Sequence, residues 1–239
     1  MSVTGSPTRR GPALASFDAK TQPWVRPSIP FSSVPSNGLT PGGLRNALSA
    51  SIERVLHIPD ESQRRLPGRE GPPLDAAVLV PLVMREQGVT ILLTQRTAHL
   101  KDHAGQISFP GGRVEAADVD VIATALRETE EETGLSRTHI EVLGTLPRYL
   151  TSSAFSVTPV TALVTPDFSL SPQVDEVAEV FEVPLSFITD PSNYRLHTVA
   201  LPDGGTRSYY SVPWQDYFIW GATAAMLLGL TQILSEAHA

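Results

Sequence analysis

The sequence predicts an α/β domain, a mixed sheet flanked by helices, set behind a proline-rich N-terminal extension. Three observations predict it. Apolar, β-branched runs at 76–84 and 89–94 flank Glu86-Gln87-Gly88 and read as a hairpin. The Ala-rich stretch at 121–126 opens a helix at about 120–133, with Gly134 fitting a left-handed cap just past its end. Eleven of the 21 prolines precede residue 75, mixed with Gly, Ser and Thr, a composition that builds little core.

Residues 1–42 accordingly read as a largely irregular arm. Leu44, Leu48, Ile52, Val55 and Leu56 recur at helical spacing and predict a short amphipathic helix over 43–57. Its apolar face needs a partner, either the domain or a second subunit, so a homodimer is among the expectations. The extension spans 1–71 and the domain 72–239. Within the domain, further strands are predicted at 107–109, 141–146, 157–164, 178–183 and 208–212. Residues 217–234 carry no charge over 18 positions. That is short of the ~20 residues a bilayer span takes, and no basic cluster flanks it, so the reading is a helix buried against the sheet and no membrane partner.

A net charge of −7 and a pI near 5.3 over 239 residues argue against nucleic acid as a partner, because backbone phosphates call for clustered Lys and Arg. With no cysteine, disulfides, thiolate catalysis and Cys-based zinc sites are excluded. Arg9 and Arg10 lack the apolar segment of a secretory signal, and the expected location is cytoplasmic, with a transit peptide as the other reading.

The chemistry concentrates in Arg127-Glu128-Thr129-Glu130-Glu131-Glu132-Thr133-Gly134-Leu135. Glu128, Glu131 and Glu132 stand at i, i+3 and i+4, on one helical face within mutual reach. Each like-charge neighbour costs roughly 0.2–0.5 kcal/mol, and acids in a last turn oppose the helix dipole. Arg127 is the only basic residue between Arg113 and Arg137. A hard divalent cation with oxygen ligands would offset the repulsion. An acidic run alone is ordinary solvated surface. Here Phe109-Pro110-Gly111-Gly112 precedes it at a fitting distance, reading as a strand end and a glycine turn that lets backbone approach a phosphate.

The run resembles the signature of the Nudix hydrolases, Arg-Glu-aliphatic-x-Glu-Glu-x-Gly-aliphatic, with Thr129 in the aliphatic place. The likeness covers roughly 72–235 and implies the α/β/α Nudix sandwich with a mixed sheet. Two departures, Asp118 for the usual glutamate and eight residues between Asp118 and Arg127, are common in the coenzyme A pyrophosphatase branch. They leave Glu115 and Asp118 open between a metal, the loop and a water. Upstream, Leu92-Leu93-Thr94-Gln95-Arg96, Lys101, Gly105 and Phe109 to Gly112 follow the spacing that marks coenzyme A hydrolases. Thr97 stands for the typical serine or alanine, and Lys101 for an arginine, which keeps charge but loses the bidentate fork.

The resemblance implies metal-dependent hydrolysis of the pyrophosphate linkage of coenzyme A or an acyl derivative to 3′,5′-ADP and 4′-phosphopantetheine, with Mg2+ or Mn2+. Glu128 and Glu132 are the expected first ligands, and Glu131 either a third ligand or the base that takes the water's proton. Arg127 orients a glutamate. Arg96, Lys101, Gly105, Phe109, Gly111 and Gly112 form the expected substrate set. A further carboxylate from outside the signature is expected at Glu176, with Glu179 second, and Tyr149 to Phe155, including Thr151, Ser152 and Ser153, are weaker candidates for contact with the nucleotide or pantetheine. His99 and His103, four apart, read as surface or loop anchors, since a glutamate cluster suits magnesium or manganese better. Two other functions stay open: a Nudix hydrolase for another nucleoside diphosphate such as ADP-ribose, and a non-catalytic Nudix-like module.

Overall fold

A computed structural model of the chain describes residues 18–49, 56, 58–59, 61, 71–99, 104–200 and 205–239. After β1 (Trp24–Val25) and α1 (Pro41–Leu48), the hairpin expected at 76–94 is β2 (Leu74–Arg85) and β3 (Gly88–Arg96). Next come β4 (Ile107–Ser108), β5 (Gly111–Arg113), α2 (Val121–Thr133), β6 (Ile140–Thr145), β7 (Tyr149–Leu150) and β8 (Phe155–Val164). The chain closes with β9 (Val177–Pro184), the single turn α3 (Leu185–Ile188), β10 (Arg195–Ala200), β11 (Thr206–Ser211) and α4 (Ala222–Ala237).

The main sheet runs β4-β3-β2-β8-β6, with β5 also on β2, β7 on β8 and β9 on β3. Only β2 and β8 pair in parallel, from Leu74↔Phe155 to Val83↔Val164, which makes the sheet mixed. β2 is apolar at nearly every position because both its faces are covered. Ala77 and Leu79 face α2 with Val160 and Ala162 of β8. Ala76, Val80 and Leu82 belong to the larger core with Leu227, Leu230 and Ile233 of α4.

α4 is buried from Thr223 to Ser235 and takes up most of the uncharged run that sequence reading assigns to a buried helix, but it begins at Ala222, with Tyr217 and Trp220 in isolated bridges ahead of it. Among the described residues no helix is long and apolar enough to cross a membrane. α1 buries Leu44 and Leu48 fully in the same core, and Arg45 forks onto Glu141 of β6 at 2.8 and 2.7 Å. Thr40 caps it by accepting the Gly43 N–H at 3.1 Å, with Pro41 at the first position. The predicted helix over 43–57 is thus observed to Leu48, and positions 50–55 and 57 lie outside the described residues.

Four short strands, β1, β5, β7 and β10, went unpredicted. β10 pairs antiparallel with β11, and β1 of the arm adds to it through Trp24↔His197, forming a small second sheet. The arm is tied down further where Tyr209 donates to the Ala19 carbonyl at 2.8 Å and the Val34 N–H donates to Thr189 O at 3.3 Å.

Candidate active site

α2 begins at Asp120, whose Oδ1 accepts the Ala123 N–H at 2.7 Å, and ends at Gly134 with φ 73°, its N–H donating to Glu130 O at 2.9 Å. Its inner face carries Thr124, Ala125, Thr129, Glu132 and Thr133. The threonine in the aliphatic place is fully buried, and its hydroxyl donates to Ala125 O at 2.6 Å, so the polar group is satisfied within the helix. That packing presses one acid, Glu132, into the protein and leaves its neighbours facing out.

Opposite α2 lies β5. Sequence reading makes Gly111 and Gly112 a turn, whereas the structure pairs them with Val78 and Ala77 of β2. The reason is space. At Gly111, φ 152°, a Cβ would strike the Ala77 carbonyl and the Val78 backbone. At Gly112 it would sit 2.5–2.6 Å from the Glu128 carboxylate atoms. Another residue at Gly111 would collide with the backbone of β2, and one at Gly112 would displace the Glu128 carboxylate.

Glu132 is 5% exposed, its Oε2 accepting the Gly111 N–H at 3.2 Å and its Oε1 3.6 Å from Arg96 Nη1. Burial pushes its carboxyl up to about 7, against the Gly111 N–H and Arg96, with the charges of Glu128 and Glu176 adding to the rise. Burial also raises Glu128, against a 2.8 Å bond from Arg127. Glu131 is 56% exposed and 3.3 Å from Arg127 Nη1.

Arg127 is the hub of this face. Its Nε and Nη2 fork onto Asp118 at 3.0 and 2.9 Å while Nη1 serves the two glutamates. Asp118 also accepts the Glu115 N–H at 2.9 Å and the Thr124 hydroxyl at 2.8 Å. Of the roles open for Asp118 from sequence, its contacts are those of a loop anchor. Glu115 offers its backbone to that anchor.

Glu176 and Glu179 go separate ways. The Thr97 N–H donates to Glu176 O at 2.9 Å and the Thr97 hydroxyl to Asp175 O at 3.0 Å, while the Gln173 N–H caps α2 at Glu132 O, 3.0 Å. These bonds bring the 173–176 segment against the end of α2, near enough for the Glu176 charge to act on Glu132. Glu179 instead accepts the Tyr217 hydroxyl at 2.8 Å. Thr97 sits where the resemblance expects serine or alanine, and its hydroxyl has this structural use.

Among the described residues no three acidic or histidine side chains converge as a ready-made metal cage. The expected ligands Glu128, Glu131, Glu132 and Glu176 gather at one end of the helix without closing on a point. The cause is visible in Arg127, which draws Glu128 and Glu131 to itself, and in Gly111, which holds Glu132.

A cavity of about 320 Å³ opens on the other side of β5. Gly111 and Gly112 belong to both places, since they meet the acids and also line the cavity with Arg96 and Phe109. Arg96 reaches from the cavity to Glu132, and its buried Nε has no hydrogen-bond partner. Thr151, Ser152 and Ser153 line the cavity too. Gly105 does not. With φ 68° it closes the β3–β4 connection by donating to Thr97 O at 3.3 Å. Lys101 and His103 lie outside the described residues, and His99 makes a long 3.5 Å contact with the Thr97 hydroxyl. Sequence reasoning missed Glu61, Arg113 and Arg207, which also line the wall, and read Trp220, in the uncharged 217–234 run, as part of a buried helix and not of the site.

An α/β/α sandwich with an acidic helix set against a glycine strand and a neighbouring cavity defines an enzyme class that hydrolyses diphosphates. Residues 73–195, more than half of the chain, match the family model of the NUDIX domain, and the chain belongs to the Nudix family. The "Uncharacterized Nudix hydrolase NudL" of Escherichia coli O7:K1 (strain IAI39 / ExPEC) is 42% identical over 153 residues, 64% of this chain and 78% of that protein. Its namesake in Shigella boydii serotype 18 (strain CDC 3083-94 / BS512) gives the same figures. Among solved structures, the MutT/nudix family protein from Enterococcus faecalis aligns at TM-score 0.41 and 20% identity, over 72% of this chain and 64% of that one. The Nudix hydrolase RenU from M. smegmatis aligns at 0.41 and 22%, over 48% and 73%.

Nudix hydrolases generally use divalent metal ions. The donors here fit one: they are carboxylates on one helical face, and burial raises both Glu128 and Glu132, so a hard cation would favour their charged forms.

Proposed function

We propose that this enzyme hydrolyses the pyrophosphate linkage of coenzyme A or an acyl derivative, releasing 3′,5′-ADP and 4′-phosphopantetheine or its acyl form. One observation carries the reading: Arg96, Phe109, Gly111 and Gly112, all in the stretch that resembles coenzyme A hydrolases, line one cavity that backs onto Glu128 and Glu132. Water adds across one phosphorus–oxygen bond of the bridge, its oxygen going to phosphorus and its proton to a carboxylate.

Glu128 and Glu132 would hold Mg2+ or Mn2+, with Glu131 or Glu176 joining them. A bound ion would supply charge neutralisation on the anionic oxygens of the diphosphate and a more acidic water. The chain's own residues do the rest. The Arg96 guanidinium offers the diphosphate a cation at the cavity end nearest the acids. Arg127 restrains Glu128 and Glu131 and keeps the preceding loop in place through Asp118. Glu131, the most exposed of the three though paired with Arg127, would take a proton from water and pass it to solvent.

A panel assay tests the substrate. Coenzyme A, acyl thioesters, ADP-ribose and NADH are compared at equal Mg2+, and the highest kcat/KM is expected for a coenzyme A species. Cleavage of ADP-ribose or NADH with coenzyme A left intact overturns the reading.

A further inference from the structure

The 151–153 loop that lines the cavity is a tight reversal. The Thr151 N–H donates to Phe155 O at 2.9 Å, the Ala154 N–H to Thr151 O at 3.1 Å and the Phe155 N–H to Thr151 Oγ1 at 3.0 Å. Ala154 stands at φ 65°, a left-handed conformation that L residues other than Asn and Asp seldom adopt. A loop that stores strain keeps its shape only when its surroundings over-determine it.

The surroundings include one residue of the N-terminal extension. Glu61 Oε2 accepts the Ser152 N–H at 2.7 Å, Oε1 pairs with Arg207 Nη2 of β11 at 3.2 Å, and the Glu61 N–H donates to Leu150 O at 2.9 Å. The carboxylate side chain is 14% exposed and the guanidinium 28%, and both line the cavity. Both also fall outside the 73–195 family match. We infer that Glu61 is a positioning residue: it staples the extension to the 151–153 loop and to Arg207, and so completes the wall against which the part of the substrate beyond the diphosphate rests.

Charge makes the inference specific. A lone carboxylate in the wall of a cavity that admits a polyanion repels its ligand, and Arg207 cancels it. Removing Arg207 alone therefore exposes an uncompensated anion, while removing both charges does not. The inference rests on the diphosphate-hydrolase reading of the site but not on coenzyme A in particular.

Steady-state kinetics on the full chain with coenzyme A and Mg2+ test it. R207Q is expected to raise KM about tenfold, with kcat within about twofold of the parent. E61A, which frees the Ser152 N–H, is expected to raise KM by a like factor. E61Q added to R207Q keeps an acceptor for Ser152 and removes the bare charge, and should recover about threefold or more of the lost KM. A merely structural pair would show no such recovery. The inference is overturned if R207Q leaves KM unchanged, if kcat and melting temperature fall in step with the rise in KM, or if the double variant is no better than R207Q. Should E61A fail to fold, R207Q against R207Q/E61Q decides alone. An intact coenzyme A with the parent enzyme refutes the proposed substrate, and the same KM ratios on the panel diphosphate that is cleaved then decide the role of Glu61.

Discussion

Arg127 grips Asp118 with two parallel bonds, 3.0 Å from Nε and 2.9 Å from Nη2, and this fork joins the start of the acidic helix region to its functional turn. Arg127, the Glu115 N–H and the Thr124 hydroxyl together hold the Asp118 carboxyl well below the usual range. A lowered folded-state pKa contributes stability that is present above the unfolded value, about 4, and lost as pH falls below it. Asp118→Asn should thus lower the melting temperature at neutral pH and flatten its decline below about pH 4. Thermal melts from pH 2 to 7 check this, and parallel curves for parent and variant would contradict it.

Glu132 carries the opposite sign. Its folded-state pKa is pushed up to about 7 by burial, so without metal the protein loses stability as pH rises from the ordinary carboxylate range through 7. The shift corresponds to about 3 kcal/mol. Glu132→Gln should abolish turnover yet raise the melting temperature in EDTA at pH 8, a trade of stability for function. A variant that is both inactive and less stable in EDTA would contradict the account.

Gly112 leaves no room for a side chain beside Glu128, the added Cβ falling 2.5–2.6 Å from its carboxylate. Gly112→Ala should shift that acid and cost about 10²-fold in kcat with the fold retained. Near-normal kcat would show that Glu128 does not need its present place.

Glu176 and Glu179 are separated by their surroundings, one on the 173–176 segment that bonds to the end of α2 and the other bonded to Tyr217. Glu176→Gln should raise the Mg2+ concentration needed for half-maximal activity, and Glu179→Gln should leave it unchanged. Metal titrations of both variants decide the matter, and the reverse ranking would move the outer carboxylate to Glu179.

Much of this was legible in the sequence, for reasons that are local. The apolar runs and turn of 76–94, the i, i+3, i+4 acids and the uncharged run that largely became α4 each depend on residues close in the chain. What was missed depends on distance. Pro110-Gly111-Gly112 reads as a turn because nothing nearby announces that Ala77, Val78 and Glu128 crowd it from three directions. β10 alternates weakly and finds one of its partners in the arm, at Trp24 and Val25. The short approach of Glu61 to Ser152 and Arg207 joins single residues far apart in sequence, with no period or motif to mark them. The substrate set was reached in part, with Arg96, Phe109, Gly111 and Gly112 meeting at the cavity and Gly105 serving a turn elsewhere.

The central claim is that the acids and the cavity together cut the diphosphate of coenzyme A with water. Mass spectrometry of a coenzyme A reaction run with Mg2+ in ¹⁸O-water tests it most directly. The account predicts 3′,5′-ADP and 4′-phosphopantetheine in equal amounts, with one ¹⁸O atom gained per bond cleaved. Coenzyme A recovered intact, under conditions where the same preparation cleaves another diphosphate, would contradict it.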